Sequence, residues 1–168
     1  MAAKTATYSL ITSQVLSSTS VSVTITSIPS TFTDLVLVVQ TAQPSSTGEL
    51  YIRFNSDTGT NHSYTSVTGD GLSVGANRTS NGSVIFAGHL GTSFMTSIID
   101  IFDYANTNKW KTAVLRGSNA DRVVGQVSGQ WRSTSAVTSI FLSQMNSGTN
   151  LFVSGSTFRL YGIEAGNL

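Results

Sequence analysis

The chain contains no cysteine, which excludes disulfides, thiol nucleophiles and thiolate metal sites. Charge is almost as scarce. Only 10% of the 168 residues are Asp, Glu, Lys or Arg, against about a quarter in ordinary soluble domains. The net charge of +1 comes with no basic run, so there is no electrostatic case for nucleic acid. No apolar stretch reaches the ~18 residues of a membrane span. The opening "MAAKTATYSL" has one Lys and lacks the apolar segment of a secretory leader, which implies synthesis and folding in a cytoplasm. At this length a single domain with a substantial core is expected.

What replaces charge is hydroxyl. Ser contributes 27 residues and Thr 23, while Lys and Glu together contribute five. Helix surfaces draw on Lys, Glu, Arg, Gln and Ala, whereas Thr and Val suit a pleated surface. The apolar period agrees. "VSVTITSI" (21–28) alternates, with Val21, Val23 and Ile25 on one face. "ELYIRF" (49–54) turns Leu50, Ile52 and Phe54 inward and Tyr51 and Arg53 outward. "VVGQVSGQW" (123–131) sets Val123, Gly125, Val127, Gly129 and Trp131 on one face, and the alternate glycines predict a large neighbour, such as an aromatic ring, packed close to them. "DLVLVV" (34–39) is a continuous apolar run, as expected of a strand covered on both faces. Further strands are expected at 7–12, 83–87, 94–104, 110–116, 137–144 and 157–163. Turn residues separate them, among them Asn81-Gly82 and Ser147-Gly148-Thr149-Asn150. Eight to ten short strands with uneven connections, one of them a long Gly/Ser/Asn-rich loop at about 56–82, predict an all-β antiparallel sandwich of Greek-key, jelly-roll type.

Motifs that carry chemistry are few. Asn55, Asp57 and Asn61 place oxygens at spacings reminiscent of a calcium loop, but the acidic residues of an EF-hand are missing, and Asn, Asp and Gly also make turns. Asp100 and Asp103 fall on opposite faces of a strand and do not form a glycosidase pair. His62 and His89 are the only histidines; neither has H-x-H or H-x-x-x-H spacing, and no G-x-S-x-G elbow is present. "GDGLSVGAN" (69–77) lacks the Lys-Ser/Thr of a phosphate loop. The sequence therefore predicts no catalytic residue, no metal and no cofactor. Tyr51, Tyr64, Trp110 and Trp131 could present rings to a sugar or a partner subunit, although its alternation favours a core position for Trp131.

Four stretches carry a resemblance: "SIPSTFTDLVLV" (27–38), "YIRFNSDTGTNHSYT" (51–65), "WRSTSAVTSIFL" (131–142) and "STFRLYGIEA" (156–165). In that order they resemble small virion proteins of tailed bacteriophages, both head-decorating proteins and pieces of tail fibres. The resemblance implies a jelly roll, assembly as a homotrimer, and a place on a virus particle. The leading expectation is a capsid decoration or cement protein that clamps the shell formed by the major capsid protein. The alternative is a tail module recognising a host surface glycan. Residues 1–7 would be a short arm ahead of a single domain spanning 8–168. Lys4, Tyr8, Arg53, Asp57, Tyr64 and Trp110 are the candidate partner-binding residues, with Arg53 and Asp57 read as a structural corner, Arg53 pairing with Asp57 or with a neighbouring chain.

Overall fold

The structure, a computed structural model, describes residues 7–45, 47–119, 121–144 and 152–164. Among them are twelve strands and no helix: β1 (Tyr8–Val15), β2 (Ser22–Ile25), β3 (Asp34–Thr41), β4 (Gly48–Phe54), β5 (His62–Gly69), β6 (Val74–Gly82), β7 (Ile85–Leu90), β8 (Met95–Phe102), β9 (Lys111–Asn119), β10 (Val123–Trp131), β11 (Ile140–Gln144) and β12 (Thr157–Ile163). They form two antiparallel sheets. The large one runs β1-β12-β3-β8-β9-β10-β5-β6 and the small one β2-β11-β4-β7. The chain passes repeatedly from one to the other, and each sheet turns one apolar face to a shared core. The protein is an all-β, two-sheet sandwich.

The period-two pattern builds that core. Leu50, Ile52 and Phe54 of β4 and Leu142 of β11 face Leu35, Leu37 and Val39 of β3 and Ile99 and Ile101 of β8, all fully buried. At roughly 1.5–3 kcal/mol for each large apolar side chain removed from water, this contact is the main stabilising term. Val23 and Ile25 are buried as expected, but Val21 precedes β2 and is 58% exposed. The Asn81-Gly82 turn signal falls at the end of β6; the 147–150 turn lies outside the described residues.

The continuous run in β3 departs from expectation. Leu35, Leu37 and Val39 point into the core. Val36 and Val38 lie on the opposite face of the large sheet, over which the described residues place no second layer. Val36 is nonetheless buried, beside its cross-strand partner Tyr161; Val38 is half-buried.

The expected long loop at 56–82 contains the hairpin β5–β6, which pairs with β10 and ends the large sheet. Every residue of β6 is exposed or half-buried. The strand expected at 94–104 stops at Phe102; Asp103 takes a left-handed φ of 49°. Tyr104 then turns into the core, where its hydroxyl donates to the Pro29 carbonyl and accepts from the Phe32 N–H at 3.3 Å.

The inward glycines of β10 do have close neighbours, but not aromatic ones. A Cβ on Gly129 would lie 2.5 Å from Ile85 Cγ2, and one on Gly125 2.9 Å from Thr68 Cγ2. At Gly162 of β12 an added Cβ would overlap the Phe32 ring. Gly129→Ala and Gly162→Ala should each lower unfolding free energy by about 1–3 kcal/mol through overpacking. Gly117→Ala should be near neutral, because the nearest atom to its added Cβ is 3.5 Å away. Urea titrations of the three variants test this; equal effects at all three positions would remove the packing argument.

Candidate functional site

The first candidate is the corner after β4. Asn55 and Ser56 both take left-handed φ, 50° and 55°, which turns the chain sharply out of the strand. Asn55 then clamps the segment 136–139. Its Nδ2 donates to the Ala136 carbonyl at 2.7 Å, and its Oδ1 accepts from the Thr138 and Ser139 N–H groups at 2.8 and 3.1 Å. Asp57 is bonded elsewhere. Oδ1 accepts from the Gly59 N–H at 2.9 Å, and Oδ2 accepts from Asn61 Nδ2 at 2.9 Å and from the Trp131 indole N–H at 2.7 Å. The three residues of the calcium-like spacing thus do not gather around one point, since Asn55 spends its oxygen on a different loop. Among the described residues no cluster of three or more His, Asp or Glu is placed to hold a metal.

Trp131 explains why Asp57 is there. The ring is buried as the alternation predicts, 2% exposed, 5.9 Å from Phe54 and stacked at 6.2 Å on its cross-strand partner His62. A buried indole N–H needs an acceptor, and the Asp57 carboxylate supplies a charged one. The bond holds the Asp57 carboxyl below the ordinary carboxylate range. His62 is fully buried, and neither ring nitrogen has a hydrogen-bond partner among the described residues; burial pulls its pKa down to about 4, so it is neutral at pH 7. Burial also lowers His89. Both ring nitrogens of His62 are buried, whereas His89 is half-buried.

Arg53 does not pair with Asp57. Its Nε donates to the Ser83 carbonyl at 3.0 Å, and its guanidinium lies 5.2 Å over the ring of Phe141, its cross-strand partner on β11. Asp100 is bridged to Arg116 and Asp103 to Lys109, each at 2.7 Å. Lys111 is an unexpected buried cation, its ammonium donating to the Lys109 and Thr134 carbonyls. Lys4 lies outside the described residues.

The remaining candidate contacts fall on separate surfaces. Tyr8 is 56% exposed on edge strand β1, and Trp110 is exposed just before β9. The outer face of the large sheet divides in two. Towards β1 it is largely apolar, with Tyr8 and Leu10, then Tyr161 and Ile163, Val36 and Val38, Ile98 and Phe102, among which Asp34, Asp100 and Arg159 also lie. Towards β6 it carries a polar trough of about 400 Å³ lined in part by Thr65, Arg78, Thr112, Ser128 and Gln130, beside the exposed Val67, Val74 and Val124. Tyr64 belongs to neither half. It points inward from β5 and packs its ring 6.1 Å from Phe86 of β7, on one wall of a slot. Of that slot only Tyr51 and Tyr64 are singled out by the sequence; Phe86, Glu49, Ser66 and Asn77, which share it, lie in separate segments with no common spacing. No protein-family model matches the chain, and no curated protein matches it in sequence.

The corner generates two predictions. Asp57→Ala leaves the Trp131 N–H buried without an acceptor and should lower stability by about 1–3 kcal/mol, seen as a shifted urea midpoint; an unchanged midpoint would show that the corner is not structural. The second concerns pH. Unfolded histidine titrates near ~6.5 and folded His62 near 4, so between these values the unfolded state binds more protons. Stability should therefore be full above about 6.5 and decline as pH falls towards 4. The lowered Asp57 adds loss only below the ordinary carboxylate range. His62→Phe should flatten the decline between pH 6.5 and 4, with His89 accounting for what remains; an unaltered slope would count against this assignment.

Proposed function

We propose that this protein is a structural component of a tailed-bacteriophage virion, a capsid decoration or cement protein that binds the outer surface of the major capsid shell as homotrimers. The single observation that carries the reading is the apolar half of the large sheet's outer face. Tyr8, Leu10 and Phe102 there are 56%, 58% and 41% exposed, and β3 has the composition of a strand with a cover on both sides. A contiguous apolar sheet face marks a surface made to be covered. Its charges balance in sign: Asp100 is bridged to Arg116, Asp34 accepts from the Asp103 N–H and Arg159 donates to the Gln40 side chain.

The proposed fold is a jelly roll. Setting aside the hairpins β5–β6 and β9–β10, the remaining order is β1-β12-β3-β8 over β2-β11-β4-β7, the interleaving that two nested Greek keys produce. On this reading both hairpins are additions that lengthen one sheet beyond β8. Such a rigid module works through repetition and interface area and needs no chemistry. The segment ahead of Tyr8, including Lys4, is proposed as the arm that docks on the shell or exchanges between protomers.

Two measurements test the reading. Quantitative mass spectrometry of the particle should find this chain in a fixed ratio to the major capsid protein, in hundreds of copies. A few to a few tens would move it to the tail and to receptor binding. Analytical ultracentrifugation should find a trimer, and Leu10→Glu or Phe102→Glu should abolish trimer formation or shell binding with the fold retained. Wild-type behaviour of both variants would mean that this face is not an interface.

A further inference from the structure

The large sheet overhangs the small one. β7 is the last strand of the small sheet and lies over β9 and β10, and the β5–β6 hairpin extends past it, with Tyr64 of β5 packed against Phe86 of β7. The inward face of this hairpin and the outer side of β7 and β4 enclose a slot. It consists of two adjoining recesses of about 240 and 290 Å³ that share Thr68, Gly75 and His89 in their walls.

Its walls differ in chemistry. One end is aromatic: Phe86 is the centre, with Tyr51 edge-on at 5.9 Å, His89 edge-on at 4.9 Å and Tyr64 tilted at 6.1 Å. Phe86 is only 5% exposed, whereas the two tyrosines are half-buried, so the tyrosines are the rings a ligand meets. Around them stand short polar groups. Glu49 accepts the Tyr51 hydroxyl on Oε2, which leaves Oε1 to a ligand. Asn77 Nδ2 has no partner among the described residues, and the hydroxyls of Ser66 and Thr68 line the floor.

The charge is wrong for an anion. The ionic groups along the slot's walls are two carboxylates, Glu49 and Asp70, and one guanidinium, Arg122, whose Nη1 donates to the Gly48 and Leu90 carbonyls. Asp70 is bonded within its turn and Glu49 to a tyrosine, and the excess of carboxylate disfavours an anion. Nor is it a cation cage, because the central ring is covered and the rings meet edge to face. Rings that offer apolar area, a carboxylate acceptor, an amide donor and hydroxyls along two adjoining recesses match a ligand carrying hydroxyls on one face and C–H groups on the other.

We propose that this slot binds a neutral oligosaccharide, with Tyr51 and Tyr64 as the stacking surface and Glu49 and Asn77 as the orienting hydrogen-bond partners. The proposal stands apart from the capsid reading, since a sugar site is compatible with a place on either head or tail.

The test uses the intact chain, isotope-labelled, titrated with a panel of soluble glucose-, mannose- and N-acetylglucosamine-based oligosaccharides. At least one should shift the amide signals of β5, β6 and β7, with affinity in the millimolar to micromolar range. Glu49→Gln and Asn77→Ala, chosen because both side chains lie at the slot's rim and not in the core, should keep the folded spectrum and each weaken that binding by about tenfold, the equivalent of one good hydrogen bond to a charged or polar group. The proposal is overturned if no sugar shifts the spectrum. It is equally overturned if the shifts map to the outer trough, if both variants bind as wild type does, or if tetramethylammonium binds the slot and the sugars do not.

Discussion

Eight strands cannot be covered by four. This mismatch between the sheets is the constraint from which the rest of the molecule follows. Where the sheets overlap, from β12 to β10, inward positions hold Leu, Ile, Val and Phe and the core is continuous. Beyond β10 the inward positions become His62, Tyr64, Ser66 and Thr68 of β5; His62 and Ser66 are still buried, whereas Tyr64 and Thr68 are half-buried. Ile85 fits against Gly129 at the boundary, where any Cβ would collide with it. Gly129 therefore marks where the edge of the small sheet presses into the large one, whereas Gly125 is crowded by Thr68 of the neighbouring strand β5; the slot lies beyond that edge, between the hairpin and β7.

The corner at Asp57 closes the same end of the sandwich. β10 and β5 carry Trp131 and His62 as a cross-strand pair, and Phe54 comes from the opposing sheet. A bulky indole can fill this end of the core only if its N–H is satisfied, and the chain supplies the acceptor by turning back immediately after β4. Two left-handed residues and the bonds of Asn55 to residues 136–139 fix that turn. The chemistry that looked like an ion site in the sequence is the chemistry of a polar lid over an aromatic stack, and the neutral His62 beneath it is held by packing alone.

Much of this was legible from residue order. Ten strands follow from period-two patterning, and the inward positions of β4 and β10 were correctly assigned residue by residue. The hairpin β5–β6 was not, for a physical reason: β5 turns His62, Tyr64, Ser66 and Thr68 inward, and β6 is exposed on both faces, so neither has an apolar alternation to detect. Tyr104 was assigned to the strand of β8 because nothing in "FDYAN" announces the left-handed turn at Asp103. The partners of Asp57 and Arg53 were invisible for another reason. Trp131 is 74 residues from Asp57 and Ser83 is 30 from Arg53, and a side chain's bond across the sheet follows from register, which composition does not encode.

The two faces of the large sheet set different demands on whatever meets them. On the outer face, Val36 and Val38 sit among Tyr161, Ile98 and Leu10 in a flat, nearly neutral surface, and only a partner of matching shape and large area gains much by covering it. On the overhanging inner face, the groups are short, polar and recessed between hairpin and edge strand, and a slender ligand can satisfy them without displacing either sheet. A chain with so few charges has little long-range attraction for any partner. Recognition then comes from contact, through apolar area on one face and hydrogen bonds to hydroxyls and amides on the other, the use to which a chain of 27 serines and 23 threonines is best suited.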